Sequence, residues 1–278
     1  MAAADDIRDF LRANPETVKV EVAEARGSTP RERGAWMLVS PSALFLTIGG
    51  GQLEYMAIDR ARAMLAAGET AAEISIPLGP EIGQCCGGRV AISLKRLDHA
   101  LAEAAVTELE KQMAAEPHIY LFGAGHVGNA LASALALLPV RPVLVDTRAN
   151  ELERAPKSVE TCLTAVPESV VREAPAGSAF VILTHDHSLD FLIAQEALAR
   201  GDAAYVGMIG SKTKRATFAS WYVKQGGDRA ALGRLVCPIG KSRLHDKRPA
   251  VIASLVAAEI IEALGTVANL ELAEECAG

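Results

Sequence analysis

Apolar residues along this chain change period near its middle, and the change divides it. Up to about position 116 the pattern is mixed. A helix is expected from Asp5 to Ala13, broken by Pro15, and Val18-Lys19-Val20-Glu21-Val22 alternates as a half-buried strand does. Two short apolar runs, 36–39 and 44–48, predict further strands on either side of a Ser40-Pro41-Ser42 turn. Gly49-Gly50-Gly51 opens a helix over about 53–67 that Gly68 ends. Strands are expected around 74–76 and 90–94, and a helix over about 98–115 leads to Pro117, which marks the domain boundary.

From there strand and helix alternate. Short apolar runs at 119–122, 143–145, 161–164, 180–183, 204–208 and 235–237 are separated mostly by helical periods, and an apolar-faced helix follows over 249–264. Such alternation predicts a doubly wound, Rossmann-like parallel sheet, with its ligand at the carboxyl ends of the strands. The expected fold class is therefore α/β: an N-terminal α+β domain over 1–116, then a Rossmann-like domain with a C-terminal helix over 117–278.

The best-defined chemical signal sits where that second pattern starts. Gly123-Ala124-Gly125-His126-Val127-Gly128 fits G-x-G-x-x-G between a strand and a helix, and Asp146 closes the next strand 21 positions after Gly125. The glycines let backbone approach a phosphate, the helix start offers unpaired N–H groups, and the acidic residue suits a free ribose. Asp146 on this reading favours an NAD-like ligand over a 2′-phosphorylated one. The same glycines also serve a tight turn and close helix packing.

Other strand ends carry polar residues. His185 and His187 of Thr184-His185-Asp186-His187 would share one face of a strand and chelate a metal, but capping of the following helix by Asp186 is the favoured reading. A cofactor-facing His185 lies between the two. Gly210, Ser211 and Lys212 open a basic helix start that suits an anion, or merely a solvated face. In the first half, Gly49, Gly50 and Gly51 allow a close ligand or a tight turn, and Gln52 and Glu54 could hydrogen-bond a heterocycle. Gly83-Gln84-Cys85-Cys86-Gly87-Gly88 places adjacent thiols between glycines. That pair suits a soft metal, a sulfur-bearing ligand or redox exchange better than one tetrahedral metal, although buried cysteines in a turn are common.

Bulk properties narrow the classes. A net charge of −6 without a basic stripe argues against nucleic acid. Five cysteines in 278 residues do not read as a disulfide framework, and a reducing cytoplasm is the expected setting. The first residues lack a basic and apolar leader pattern, and Glu259 and Glu262 interrupt the apolar stretch 250–264, so no membrane association is expected.

Taken together, Gly27-Ser28-Thr29-Pro30, 49–54, 83–88, 123–128, 184–187, Tyr205 to Ser211, Cys237-Pro238-Ile239-Gly240 and 246–253 resemble the XdhC/CoxI family of xanthine dehydrogenase accessory proteins. The match runs through nearly the whole chain in order. Lys241 stands where the CoxI-like form has Leu, and the last two segments look like the XdhC branch. The resemblance implies a non-catalytic maturation chaperone that binds molybdenum cofactor (molybdopterin). It would hold the cofactor while a cysteine desulfurase supplies the sulfido ligand, then deliver it to apo xanthine dehydrogenase. Cys85 and Cys86 are the expected contacts to the metal. The cofactor-binding candidates are Gly49, Gly50, Gly51, Gln52, Glu54, Gly123, Gly125, His126, Gly128, Asp146, His185, Gly210, Ser211 and Lys212. A site between the two domains and a homodimer are expected with them. Two other readings compete: an NAD-dependent oxidoreductase using His185 and Asp186, and a scaffold that joins desulfurase to dehydrogenase, with helix 249–264 as its contact.

Overall fold

The computed structural model describes residues 4–79, 87–242, 244 and 246–275. Its backbone contacts divide the chain between Ala114 and Ala115.

The first unit is an antiparallel sheet covered on both faces. It contains α1 (Ala4–Ala13), β1 (Val18–Arg26), β2 (Trp36–Val39), β3 (Leu44–Leu46), α2 (Gly51–Ala67), β4 (Ala71–Pro77), β5 (Arg89–Arg96) and α3 (His99–Ala114), with strand order β3-β2-β1-β5-β4. Alternation sorts the side chains. Val18, Val20, Val22, Met37 and Val39 meet Leu53, Ala57, Ala61 and Met64 of α2. Trp36 and Leu38 point the other way, onto Ile7 of α1 and Val106 and Leu109 of α3. All four residues of β2 are buried because it is covered twice. On the α1–α3 face Lys19 of β1 donates to Glu108 of α3 at 2.6 Å and lies over the Trp36 ring.

Strand β1 runs four residues beyond the expected 18–22, because β5 pairs with it as far as Arg26, across a bulge after Val22. Strand β3 is shorter than the expected 44–48. It stops at Leu46, whose φ is +64°, and two residues on the Ile48 N–H turns to Glu54.

The second unit is the doubly wound sheet. It comprises β6 (His118–Phe122), α4 (His126–Leu135), β7 (Arg141–Asp146), α5 (Ala149–Leu152), β8 (Glu160–Leu163), α6 (Pro167–Glu173), β9 (Ala179–Ile182), α7 (His187–Arg200), β10 (Tyr205–Met208), α8 (Lys212–Lys224), β11 (Leu235–Val236) and α9 (Pro249–Glu275). The order is β11-β10-β9-β6-β7-β8, with every neighbouring pair parallel. Strands β6, β7 and β8 step outward one way, and the chain returns to lay β9 on the other side of β6. The β6/β9 seam is therefore the switch point where such sheets bind ligands. Ile119, Leu121 and Val181 pack on α4 and α9, while Phe122, Phe180 and Ile182 pack on α7 and α8.

Candidate functional site

Each unit gathers sequence motifs at one place. In the second unit the place is the carboxyl end of β6, β7 and β9. The three motif glycines do different work there. Gly123 has φ +120°, and a Cβ on it would lie 2.6 Å from the Leu183 carbonyl oxygen, so it allows β6 to turn against β9. A Cβ on Gly128 would lie 1.9 Å from the Gly123 oxygen, so this glycine lets α4 sit on the turn. Gly125 has ordinary φ and nothing within 4 Å of an added Cβ. Space beside it, at the start of α4, is what a phosphate requires. His126, the first residue of α4, is exposed.

Asp146, 5 % exposed, ends β7 and reaches back to this turn: its Oδ2 accepts from the Ala124 N–H at 2.7 Å. Arg148 completes the arrangement, donating from Nε to Oδ1 and from Nη2 to Oδ2, both at 3.0 Å, while its backbone N–H also reaches Oδ1. Burial opposes ionisation of Asp146, but the Arg148 guanidinium and the two N–H groups outweigh it and hold the carboxyl below its usual range. The carboxylate expected to meet a ribose is engaged within the protein. Both oxygens already have protein partners.

At 184–187 the structure shows the helix cap, the favoured reading, and not a histidine pair on a strand. Strand β9 ends at Ile182, so His185 and His187 are not on a strand and share no strand face. Thr184 turns the chain, accepting from the Asp186 N–H at 3.1 Å. Asp186 then caps α7 through the N–H groups of Ser188 and Leu189, at 2.7 and 3.4 Å. His185 lines a narrow cleft with Phe122, Gly123, Val145, Asp146, Thr147, Pro167, Thr184 and Leu189.

Beyond β10 the anion candidate folds inward. Ser211 caps α8 by accepting from the Lys214 N–H, and Lys214 turns its ammonium to Asp190 and to the Ile209 carbonyl. A Cβ on Gly210 would lie 2.7 Å from Lys214 Cδ, so the glycine makes room for this path. Lys212 stays exposed at the first position of α8. Asp190 is fully buried and also accepts from the Thr184 hydroxyl and N–H, at 2.6 and 3.1 Å. Cys237 lies nearby; burial raises its thiol pKa, against the pull of Lys214 and Arg215. On the opposite face Glu259 of α9 accepts from the Gly240 N–H at 2.7 Å and the Tyr205 hydroxyl at 3.2 Å.

In the first unit three glycine segments meet. A Cβ on Gly49 would lie 2.8 Å from Pro30 Cβ and 2.9 Å from Arg31 Cγ. One on Gly88 would lie 2.3 Å from the Ser28 carbonyl oxygen, and Ser28 bridges Gly87. Segments 27–31, 49–54 and 87–88 therefore touch only because these residues lack side chains. Gly49, Gly50 and Gly51 all have positive φ, and they lead into α2. Glu54 folds back from α2 to close the turn, its Oε2 accepting from the Thr47 hydroxyl and from the N–H groups of Ile48 and Gly50. One carboxylate oxygen thus serves the loop, while Gln52 is exposed. Cys85 and Cys86 lie outside the described residues. Among the described residues no cluster of three or more His, Cys, Asp or Glu side chains is poised to hold a metal.

Residues 119–260 match the XdhC Rossmann domain, and residues 10–75 match the XdhC and CoxI family. The chain belongs to the XdhC and CoxI family. It is 26 % identical over 250 residues to the uncharacterized protein YqeB of Escherichia coli K12. That alignment covers 87 % of this chain and 42 % of YqeB, so the chain spans under half of that relative. In fold it is similar to a crystal structure of a xanthine dehydrogenase from Bacillus halodurans, with TM-score 0.80, 16 % identity and 96 % of each chain covered. The Asp190–Lys214 pair, the Arg148 clamp and the Glu54 loop closure went unanticipated in this XdhC-type sequence. Of these only Glu54 carried a local signal, as an acidic residue in the first turn of a helix.

Among the described residues no helix is long and apolar enough to cross a membrane.

Proposed function

We propose that this protein is a maturation factor for xanthine dehydrogenase that holds molybdenum cofactor for sulfuration and passes it to the apo enzyme. The observation that carries this reading is the family match in both halves of the chain. The glycine segments of the first unit fit the demands of such a ligand. Gly49, Gly50 and Gly51 hold a backbone turn that glycine adopts without strain, and Gly50 has open space where a side chain would stand. The start of α2, beside the open space at Gly50, would receive the cofactor's phosphate, and exposed Gln52 its pterin edge. Cys85 and Cys86 would approach the molybdenum or its sulfur. When bound, the cofactor supplies the metal centre that xanthine dehydrogenase later uses. The chain's own work is to bind, orient and shield it. A cysteine desulfurase, the apo enzyme and a second copy of this chain are the partners this role requires, with the cytoplasm as its setting.

The test is anaerobic titration of the full-length protein with molybdenum cofactor. Saturable binding is expected, weakened by about tenfold or more in the Cys85→Ala, Cys86→Ala double variant, the size of one lost strong contact. Absence of binding by the wild-type protein would overturn the reading. The competing oxidoreductase reading depends on a His185–Asp186 pair, and Asp186 is engaged as the cap of α7.

A further inference from the structure

A groove of about 380 Å³ lies in the second unit where α7 and α8 end. Because these helices run against the parallel strands, it is at the opposite edge of the sheet from the glycine motif. Its third wall is the turn after α8 with the 3-10 helix Arg229–Arg234. The volume falls within the roughly 300–1,000 Å³ of small-molecule sites. Leu198 and Ala231 give it a buried apolar floor. Tyr222, on its wall, is only 3 % exposed, yet its hydroxyl has no hydrogen-bond partner among the described residues. A buried tyrosine hydroxyl ordinarily has one. A Cβ on Gly227 would lie 2.5 Å from Cε1 and Cζ of that ring, so this glycine lets the turn lie against the hydroxyl end with no side chain to cover it.

Charge sets the class of ligand. Arg234 donates from Nη2 to the Leu198 carbonyl at 2.6 Å. That bond fixes the guanidinium at the end of α7 and leaves its other N–H groups without an acceptor among the described residues. Asp228 accepts from the Ala230 N–H through Oδ1 at 2.9 Å, and its Oδ2 has no partner among the described residues. The two opposite charges line one groove and form no ion pair with each other. A ligand that brings a carboxylate to Arg234 and an ammonium to Asp228 satisfies both, and such charge-assisted contacts are the strong ones. Gln195 and Gln225 add two amides that have no protein partner among the described residues. An amide on the ligand offers each of them a matching donor and acceptor.

We propose that this groove binds a free α-amino acid with an amide side chain, its carboxylate on Arg234, its ammonium on Asp228 and its amide among Gln195, Gln225 and the Tyr222 hydroxyl. The proposal goes beyond the maturation reading and does not rest on it. The groove lies wholly within the second unit, and none of its residues is assigned to molybdenum cofactor.

The experiment titrates the full-length protein, without molybdenum cofactor, with L-glutamine and with L-asparagine, followed by saturation-transfer NMR and calorimetry. Saturable binding of at least one is expected. Its N-acetyl form, which lacks the ammonium, and its α-carboxamide form, which lacks the carboxylate, should each bind at least about tenfold more weakly, the size of one charge-assisted contact. Asp228→Asn keeps an acceptor for the Ala230 N–H and should weaken the free amino acid by about tenfold, with the N-acetyl form changed by less than about twofold. Tyr222→Phe removes only the hydroxyl and should weaken binding by about threefold or more. Failure of both amino acids to bind, equal binding of the blocked forms, or undiminished binding by folded Asp228→Asn or Tyr222→Phe protein would each overturn the proposal. If a variant does not fold, the comparison of free and blocked forms on the wild-type protein decides alone.

Discussion

Asp190 and Lys214 form an ion pair withdrawn from water. Asp190 has no exposed surface and the Lys214 side chain is 9 % exposed. They come from α7 and α8, which follow adjacent strands, and Thr184 and the Ile209 carbonyl satisfy the remaining valences. Removing one partner leaves a buried charge without compensation, which costs about 3–5 kcal/mol. Asp190→Ala and Lys214→Ala are each expected to lower stability by about that much. An Asp190→Leu, Lys214→Met double variant should lose less than either single variant. Urea unfolding followed by circular dichroism measures all three. Equal losses in the double and single variants would show that the pair is not what holds these helix starts.

The glycines of the GAGHVG turn are not equally needed by the fold. At Gly128 a methyl group would fall inside the Gly123 carbonyl, so Gly128→Ala must push α4 off the turn. A loss of at least about 1–3 kcal/mol is expected, as for other overpacked sites. Gly125 has room and an ordinary φ. Gly125→Ala should stay within about 0.5 kcal/mol of wild type. Thermal unfolding of the two variants measures the difference, and equal losses would show that the close approach at Gly128 is not what sets its cost.

Much of this architecture is legible in the order of apolar runs. The second unit reads well because parallel strands buried on both faces are short and wholly apolar, as in Ala179–Ile182 and Tyr205–Met208. Gly68 ends α2 in the left-handed conformation, at the place its sequence position marks. Boundaries were less legible where tertiary pairing decides them. Nothing local in Glu24-Ala25-Arg26 announces that β5 extends β1 that far. The site was legible in its glycines and illegible in its ion pairs. Lys214 reads as one cation of a basic helix start, and only the fold brings it to a carboxylate 24 positions earlier. Asp146 and Arg148 are two residues apart, yet whether they clasp each other or a ligand depends on the turn between β7 and α5.

The Asp146 clamp should show in the pH dependence of stability. Its folded pKa lies below the unfolded value, so the folded state favours the carboxylate. The resulting stability is fully present above the unfolded carboxyl pKa and is lost as pH falls through the folded pKa. Asp146→Asn should therefore cost about 1.5–3 kcal/mol near neutral pH, the value of hydrogen bonds to a charged group. The difference from wild type should shrink as the solution is acidified below the usual carboxylate range. Chemical unfolding at a series of pH values tests this, and a difference independent of pH would assign the loss to packing.

Glu54 links the glycine loop of the first unit to the helix it opens. Its carboxylate gathers the Thr47 hydroxyl and the Ile48 and Gly50 N–H groups, so it orders the loop without facing a ligand through that oxygen. Glu54→Ala should leave two backbone N–H groups without their acceptor and cost about 1–3 kcal/mol. Glu54→Gln keeps a neutral acceptor and should cost less. If the carboxylate acts by ordering the loop, amide hydrogens at Ile48 and Gly50 should exchange faster in Glu54→Ala even without any ligand. Cofactor affinity should then fall in step with that exchange across the two variants. Weakened cofactor binding with unchanged exchange would instead make Glu54 a direct contact to the ligand.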